Sequence, residues 1–252
     1  MIKKTLTKVS VIAIAAGVVM ILAAWGLGAQ GYVSLGLSGL RVARHGEAET
    51  LSQRGITGVK ALTVDASGAD IEFIPADDFG FDIRTFSGYP DWSLDGGELV
   101  VKEARIGGIF RVEFPLLSTL TEDNTYIKIY YPRDGALDKL DISGVSGSIE
   151  FPGLDKRVRE ASFSTVSGNI SVAALEADTL KLRTVSGNVE ISTATDESSL
   201  AYKIDTVSGA VTVGGRRLHG GAESPPAPPG GTSLTISTTS GDVDIEFEPD
   251  IG

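Results

Sequence analysis

The chain has 252 residues, enough for one or two domains with a substantial core. It has no cysteine and only two histidines, His45 and His219, so a disulfide framework and a thiolate metal site are excluded and a histidine metal site is nearly so. The first thirty residues hold Lys3, Lys4 and Lys8 and no acid, so the remainder carries 19 basic against 33 acidic residues, a net charge of −14. Such a surface repels nucleic acid and tolerates cations or basic partners, although solubility alone also favours it.

The N-terminal segment Val9–Ala29 holds 21 uncharged residues, about the length that crosses a bilayer. The preceding lysines predict a cytoplasmic N-terminus, and Trp25 lies near the outer end, where aromatic rings favour the interface. A cleaved signal peptide is the alternative, but the apolar run is long for one and residues 26–28 match an Ala-x-Ala site poorly. We therefore expect residues 1–30 to be a cytoplasmic stub and an uncleaved anchor, with the rest of this single-pass membrane protein outside the cytoplasm.

Beyond the anchor, the chain divides by its patterning. Residues 31–57 show no sustained period and are predicted to be a juxtamembrane linker. Residues 58–250 are predicted to form a β-repeat domain. Within it, residues 214–231 are rich in Pro and Gly and predict an exposed loop without strands.

The β-repeat domain repeats one phrase, Φ-x-Φ-x-Thr-Val-Ser-Gly-x-Φ-x-Φ, in which Φ is apolar. Its clearest copies are 161–172, 180–191, 202–213 and 234–245. Three further segments match in part: 140–151 has Gly144 in place of Thr, 62–73 has Ala69 in place of Gly, and 81–92 breaks at Pro90. The longest interval between copies is close to three periods, and within it ELVVKEAR, FRVEF and YIKIYYP look like degenerate strands.

Each copy alternates apolar and polar residues, which predicts two short strands. In 180–191, Val185 follows Leu182 by three residues, so strict alternation fails and a corner or bulge is predicted between the strands. Polar residues such as Asn188 and Glu190 are expected to be exposed. We expect these apolar residues to be buried: Val166, Ile170, Val185, Val189, Val207 and Val211.

A unit of about 20 residues cannot bury its apolar side alone, whereas stacked units can. The repeat therefore predicts an all-β fold, a β-helix-like solenoid of two-strand units that follows one N-terminal transmembrane helix. Stacking would align Asn169 with Asn188, and polar ladders of this kind can hydrogen-bond from coil to coil. It would also align the repeat serines, as a ligand-binding stripe or as corner geometry: Ser146, Ser167, Ser186, Ser208 and Ser240.

The TVSGN(I/V)x(I/V) phrase at 165–172 and 184–191, the N-terminal anchor and the YIKIYYP strand resemble the bacterial putative-adhesin β-strand-repeat family. That family is a domain of unknown function related to the head domain of auto-transporter adhesins, and a membrane-anchored member belongs to an envelope-stress operon in Gram-positive bacteria. The resemblance covers about 58–248. It implies a β-helix-like solenoid on the outer side of the membrane and brings no catalytic motif.

The sequence has no G-x-S-x-G elbow, no H-E-x-x-H pair and no Walker loop. We therefore predict no catalytic, cofactor-binding or metal-binding residue and no cofactor. In the segment 242–250, four carboxylates alternate with apolar residues and could bind Ca²⁺, but carboxylates on one face of a strand lie roughly 6.8 Å apart, too far for chelation by that strand. A solvated face that discourages edge pairing at the C-terminal end of the solenoid is the alternative. These carboxylates are Asp242, Asp244, Glu246 and Glu248.

A small basic cluster of Arg216, Arg217 and His219 is either a docking point for an anionic wall polymer or an ordinary solvated loop. The leading functional prediction is a non-enzymatic surface interaction module that is adhesin-like or an envelope-stress accessory. Its expected partners are the membrane, through the N-terminal helix, and a cell-envelope protein, a cationic peptide or a wall polymer, but not nucleic acid. A structural spacer and a polysaccharide-active β-helix enzyme are the alternatives.

Overall fold

The computed structural model describes residues 31–36, 39–44, 48–86, 88–105, 110–113, 125–193, 196–218 and 221–247. Val9–Ala29, His45, His219 and Glu248 lie outside these ranges, so the predictions made for them stay predictions. In the described part of the chain, no helix is both long enough and apolar enough to span a membrane. The chain forms two units, Met1–Glu47 with Gly107–Glu122, and Ala48–Ile106 with Asp123–Gly252.

The described residues are mostly strand, as the alternating pattern predicts. One 3-10 turn, Glu197–Ser199, is the helical element in the described ranges. The strands, in chain order, are β1 Gly31–Gly36, β2 Gly39–Arg44, β3 Glu49–Ile56, β4 Ala61–Ala66, β5 Asp70–Pro75, β6 Phe79–Thr85, β7 Gly88–Asp95, β8 Glu98–Arg105, β9 Phe110–Glu113, β10 Tyr126–Tyr131, β11 Lys139–Gly144, β12 Ile149–Phe151, β13 Val158–Ser167, β14 Ile170–Ala173, β15 Ala177–Ser186, β16 Val189–Thr193, β17 Leu200–Ser208, β18 Val211–Val213, β19 Arg216–Leu218, β20 Ala222–Glu223, β21 Thr232–Ser240 and β22 Val243–Phe247.

The smaller unit contains an antiparallel sheet in the order β2-β1-β9. Its strands β1 and β2, together with β3 of the larger unit, fall within residues 31–57. This segment, expected to be a linker, therefore contains three strands. The register explains why the pattern of β3 is weak: it pairs on one side only, with β6, and most of its side chains are exposed.

The larger unit is built from six coils, each a pair of strands joined at a corner. In sequence order they are coil 1 (β4 and β5), coil 2 (β11 and β12), coil 3 (β13 and β14), coil 4 (β15 and β16), coil 5 (β17 and β18) and coil 6 (β21 and β22). Their first strands join a nine-stranded sheet, in the order β20-β17-β21-β15-β13-β11-β4-β8-β7. Their second strands join a ten-stranded sheet, in the order β19-β18-β22-β16-β14-β12-β5-β10-β6-β3. Neighbouring coils pair in parallel, which confirms the stacked two-strand units.

The core lies between the two sheets, where alternate side chains of every coil are buried. In coil 4, for example, Leu182 and Val189 have almost no exposed surface, whereas Arg183 and Glu190 face solvent. Aromatic rings fill the space near coils 1 to 3. The ring centroid of Phe151 lies 4.9 Å from that of Phe73 and 5.6 Å from that of Tyr131. Burial of apolar area, at about 25 cal/mol per Å², is the main stabilising contribution of this arrangement.

The coils do not stack in the order of the sequence. Coil 6 lies between coils 4 and 5, because β21 pairs with both β15 and β17, and β22 pairs with both β16 and β18. The spatial order is therefore 1-2-3-4-6-5. It follows that β22 is an inner strand, so the prediction that its carboxylates protect the C-terminal edge is wrong.

The segment 214–231 allows coil 6 to lie between coils 4 and 5. It was predicted to contain no strand, but the structure shows two in its described residues. After coil 5 the chain turns back, β19 pairs antiparallel with β18, and β20 pairs antiparallel with β17. The chain then passes the start of coil 5, where a Cβ on Gly231 would lie 2.5 Å from the carbonyl oxygen of Ser199. Arg157 fixes this crossing by donating to the carbonyl oxygen of Gly231 at 2.8 Å. The segment thus lines the outer edge of both sheets and returns the chain to the position of coil 6, between coils 4 and 5.

Beyond coil 1, the repeat continues in altered form. Strands β8 and β10 pair in parallel with β4 and β5, so they occupy the position of a further coil whose two strands are separated in sequence. Strands β6 and β7 belong to the 81–92 copy, but β6 is in the ten-stranded sheet and β7 in the nine-stranded one, each antiparallel to its neighbour. That copy therefore runs in the direction opposite to the six coils.

Candidate interaction surfaces

The corners of coils 2 to 6 stack through their glycines. A Cβ on Gly168, Gly187, Gly209 or Gly241 would approach the carbonyl oxygen of the glycine in the next coil far inside 3.0 Å, a separation that real Cβ atoms essentially never show. The series ends at coil 1, where the carbonyl of Ala69 faces Gly147.

The residue after each glycine forms a hydrogen bond with the next coil. The Asn169 side-chain oxygen accepts from the backbone N–H of Asn188 at 2.9 Å, and that of Asn188 accepts from the N–H of Asp242 at 2.9 Å. The ladder ends at Ala210, whose N–H donates to Asp242. This confirms the predicted asparagine column, and its role is structural: each side-chain oxygen is already engaged.

The repeat serines also align as predicted. Ser146 pairs with Ser167, Ser167 with Ser186, and Ser240 with both Ser186 and Ser208. All five are exposed at the corner. The column is therefore accessible.

The valine before the serine is placed the other way round from the prediction. The threonine before it is buried in coils 3, 4 and 6, and the hydroxyls of Thr165 and Thr184 each donate to a glycine carbonyl oxygen of the neighbouring coil at 3.3 Å. The valine points outward. The exposed fractions are 40% for Val145, 48% for Val166, 42% for Val185 and 83% for Val207. The prediction that Val166, Val185 and Val207 are buried was wrong, while Ile170, Val189 and Val211 are buried as predicted.

The corner of coil 1 is completed by a buried carboxylate that no sequence pattern singles out. Glu103 of β8 lies in register with the buried threonines and is 3% exposed. One of its carboxylate oxygens accepts from the N–H groups of Ser67 and Gly68 at 2.8 and 2.9 Å, and the other accepts from Thr85. Through these bonds the carboxylate holds the backbone of the corner in place.

The outer face of the ten-stranded sheet holds an acidic groove of about 310 Å³. The polar residues that line this acidic groove are Ser171, Glu190, Ser192, Asp244 and Glu246. The parallel register sets Glu190 directly beside Asp244, and Ser192 beside Glu246. Neighbouring strands are about 4.8 Å apart, so carboxylates from two coils come closer than the sequence spacing along one strand suggests. In the described ranges, no group of three or more His, Asp or Glu side chains is arranged to hold a metal ion.

The basic cluster is divided by the structure. Arg216 pairs with Glu197, so its charge is compensated within the chain. Arg217 lies opposite Thr212 on β18 and is exposed, at the margin of the acidic face. The structure therefore does not bring these two arginines together as one anion site.

The fold and these surfaces define an all-β, parallel-coil solenoid domain with flat, polar outer faces. The chain belongs to the Toastrack DUF4097 family, whose model matches residues 59–251. The resemblance drawn from the repeat phrase is thereby confirmed. No curated protein is significantly similar to the chain.

Several solved structures share the architecture. A putative cell adhesion protein from Clostridium sporogenes is 12% identical, covers 80% of this chain and 100% of its own, and superposes with a TM-score of 0.51. At this identity the match establishes the fold alone. A putative adhesin from Parabacteroides distasonis (11% identity, 79% of this chain and 97% of its own, TM-score 0.30) and a putative lipid binding protein from the same organism (13%, 79% and 97%, 0.26) superpose less well and add nothing to that assignment.

Proposed function

We propose that this chain is a membrane-anchored, extracytoplasmic interaction module of the cell envelope that binds a cationic peptide or protein loop and catalyses no reaction. Three features support the anchor and the location: the uncharged segment Val9–Ala29, the lysines before it and the absence of acid there. The description of the Clostridium sporogenes protein as a cell adhesion protein agrees with an interaction role.

The acidic groove is the observation that carries the choice of partner. Glu190, Asp244 and Glu246 have no ion pair with any residue in the described ranges, although other carboxylates on the two sheet faces, such as Glu72 and Glu160, are paired with lysines. Carboxylates from adjacent coils repel one another, and a bound cationic side chain relieves that repulsion. Because the groove runs across the strands of three coils on the outer face of a sheet, it suits an extended partner better than a small substrate.

The same face gives little support to a glycan-cleaving enzyme. Such an enzyme needs carboxylates and basic residues clustered on one stacked face. On the ten-stranded face of coils 2 to 6, the described outward residues are Ser, Thr, Ala, Asp and Glu, with no Lys or Arg. A face of this composition offers charge complementarity to a cation and no general acid with a basic partner.

A binding experiment with a defined probe tests the partner class. We expect a ten-residue oligolysine to bind the full-length chain in detergent, and the triple variant Glu190→Gln, Asp244→Asn, Glu246→Gln to lose most of that binding. The matched control removes the same charge from the nine-stranded face with Asp65→Asn, Asp95→Asn and Asp205→Asn, all at exposed positions. Equal loss in both variants would mean that net charge alone attracts the probe, and no binding in any form would leave a structural spacer as the role.

Membrane extraction and N-terminal sequencing test the location independently. The chain should remain with membranes after alkaline extraction, and its N-terminus should lie near Met1. Protease added to intact cells should reach the solenoid. A soluble form that begins near Ala29 or Gln30 would reject the anchor and leave an exported protein.

A further inference from the structure

Exposed valines line the corner of the solenoid, and one threonine interrupts them. Val145, Val166 and Val185 lie on adjacent coils, and Thr239 of coil 6 continues the line to Val207. We call these five residues the valine ridge. With about 4.8 Å between coils, the ridge is roughly 19 Å long. In coils 3 and 4 the core does not require the valine, because the adjacent threonine already fills the inward position.

The ridge is also free of charge in coils 2 to 4. The corner segments 143–149, 164–170 and 184–189 contain no ionisable residue. Both sheet faces, by contrast, carry exposed carboxylates, among them Glu190 and Glu246 on one and Asp65 and Asp205 on the other. The chain has a net charge of −11, and two copies that met through the acidic groove would place carboxylate against carboxylate.

We propose that the valine ridge is a self-association surface, and that its occupant is the ridge of a second copy of this chain. The three valines of coils 2 to 4, at a constant spacing, form a self-complementary line, as a twofold contact requires. Facing Val166 residues lie at the centre of these three valines, and the valines lose little side-chain entropy on packing because they are β-branched. In coils 2 to 4 the ridge offers an uncharged contact surface, which avoids repulsion between two acidic chains.

The narrowness of the ridge sets the strength of the contact. A stable protein interface buries about 800 Å² on each partner, and a ridge one side chain wide with its flanking serines falls short of that. The association is therefore weak between single molecules. It gains strength where many copies are held side by side, because tethering raises their effective concentration. The contact itself needs neither the tether nor a cationic partner, so it stands apart from the proposed function.

Cysteine cross-linking tests the ridge cleanly because the chain has no cysteine of its own. We expect full-length Val166→Cys, oxidised in membranes, to form several-fold more disulfide-linked homodimer than Thr235→Cys, whose residue is exposed on the nine-stranded face of coil 6. Equal yields from the two variants would overturn the proposal. So would cross-links from the Val166→Cys variant to other proteins only, since the occupant would then not be a second copy.

A second measurement removes the dependence on disulfide geometry. In sedimentation of the full-length chain at rising concentration, Val166→Asp should shift the dimer to monomer, because two carboxylates would face each other, while Thr235→Asp should leave the dimer unchanged. Both residues are exposed, so neither variant is expected to disturb folding. A wild-type chain that stays monomeric throughout, or a dimer that is equally sensitive to both substitutions, would contradict self-association through the ridge.

Discussion

Gly187 lies against the carbonyl group of Gly168 in the neighbouring coil so closely that no Cβ fits between them. The obstacle is the backbone of Gly168 and Asn169, so it cannot be relieved by a side-chain rotation. The backbone of Gly187 also has a φ of 154°, which L side chains rarely adopt. The spacing between the coils therefore requires glycine at this position of the phrase.

We expect Gly187→Ala to destabilise the solenoid by about 3 kcal/mol or more, because the stacked backbones must separate. Urea denaturation followed by circular dichroism measures the effect. Gly68→Ala is the matched control: Gly68 is also at a corner, but a Cβ added there would have no atom within 4 Å. That variant should stay within about 0.5 kcal/mol of wild type, and similar midpoints for the two would show that the close approach is not what selects glycine.

Burial raises the pKa of Tyr131 to about 12, with Asp155 also raising it and Arg133 opposing the shift. The buried hydroxyl donates to the carbonyl oxygen of Gly153 at 2.6 Å. In the unfolded chain the pKa is about 10, so between pH 10 and 12 the native state binds more protons than the unfolded one. Stability should therefore fall by about 2–3 kcal/mol as pH rises through this window.

The phenylalanine variant separates this group from other alkaline effects. Tyr131→Phe should lower stability at neutral pH by about 1–3 kcal/mol, because the carbonyl of Gly153 loses its donor, and should largely remove the decline between pH 10 and 12. Tyr202→Phe keeps Tyr131 and should keep the decline. Denaturant midpoints at a series of pH values give the result, and an unchanged alkaline slope in the Tyr131 variant would contradict the assignment.

The strands and the corner could be predicted from the sequence, but the orientation of the corner residues could not. Alternation alone places Leu182 and Thr184 on the same side, whereas hydropathy favours Val185 for the core. The structure follows alternation, since the hydroxyl of Thr184 finds a carbonyl partner in the next coil. The prediction chose Val185 for the core because valine is apolar. A buried threonine hydroxyl needs a hydrogen-bond partner, and here that partner belongs to the neighbouring coil, which the sequence alone does not identify.

Aspartate substitutions on the two sides of the corner distinguish these orientations. Val189→Asp places an unpaired carboxylate in the core and should cost several kcal/mol, about 3 or more. Val185→Asp introduces the same charge at a position that is 42% exposed and should cost about 1 kcal/mol or less. Urea midpoints measured side by side provide the comparison. Equal costs would mean that the valine of the phrase is buried after all.

The order of the coils was beyond prediction for a different reason. Every copy in coils 2 to 6 presents the same serine, glycine and alternating apolar residues, so each can pair in register with any other, and the phrase does not specify its neighbour. The long insert 214–231 was the available signal, because a chain that skips a position must cross back over a coil. The reversal of the 81–92 copy was hidden in the same way, since a strand pattern has no direction.

Paired cysteines can establish the coil order in solution. In the structure Ser186 is the cross-strand partner of Ser240, and Ser240 is the partner of Ser208. Neighbouring strands lie about 4.8 Å apart, within the Cα separation that a disulfide spans, whereas Ser186 and Ser208 are two strands or about 9.6 Å apart. We expect Ser186→Cys with Ser240→Cys to form an intramolecular disulfide on mild oxidation.

The pair Ser208→Cys with Ser240→Cys should also close, and the pair Ser186→Cys with Ser208→Cys should remain as free thiols. All three serines are exposed, so the substitutions should leave folding unchanged and the thiols accessible to oxidant and to alkylating reagent. Mass spectrometry after alkylation counts the free thiols in each variant. If the coils stacked in sequence order, Ser186 would neighbour Ser208 and lie two strands from Ser240. The first and third pairs would then exchange their results.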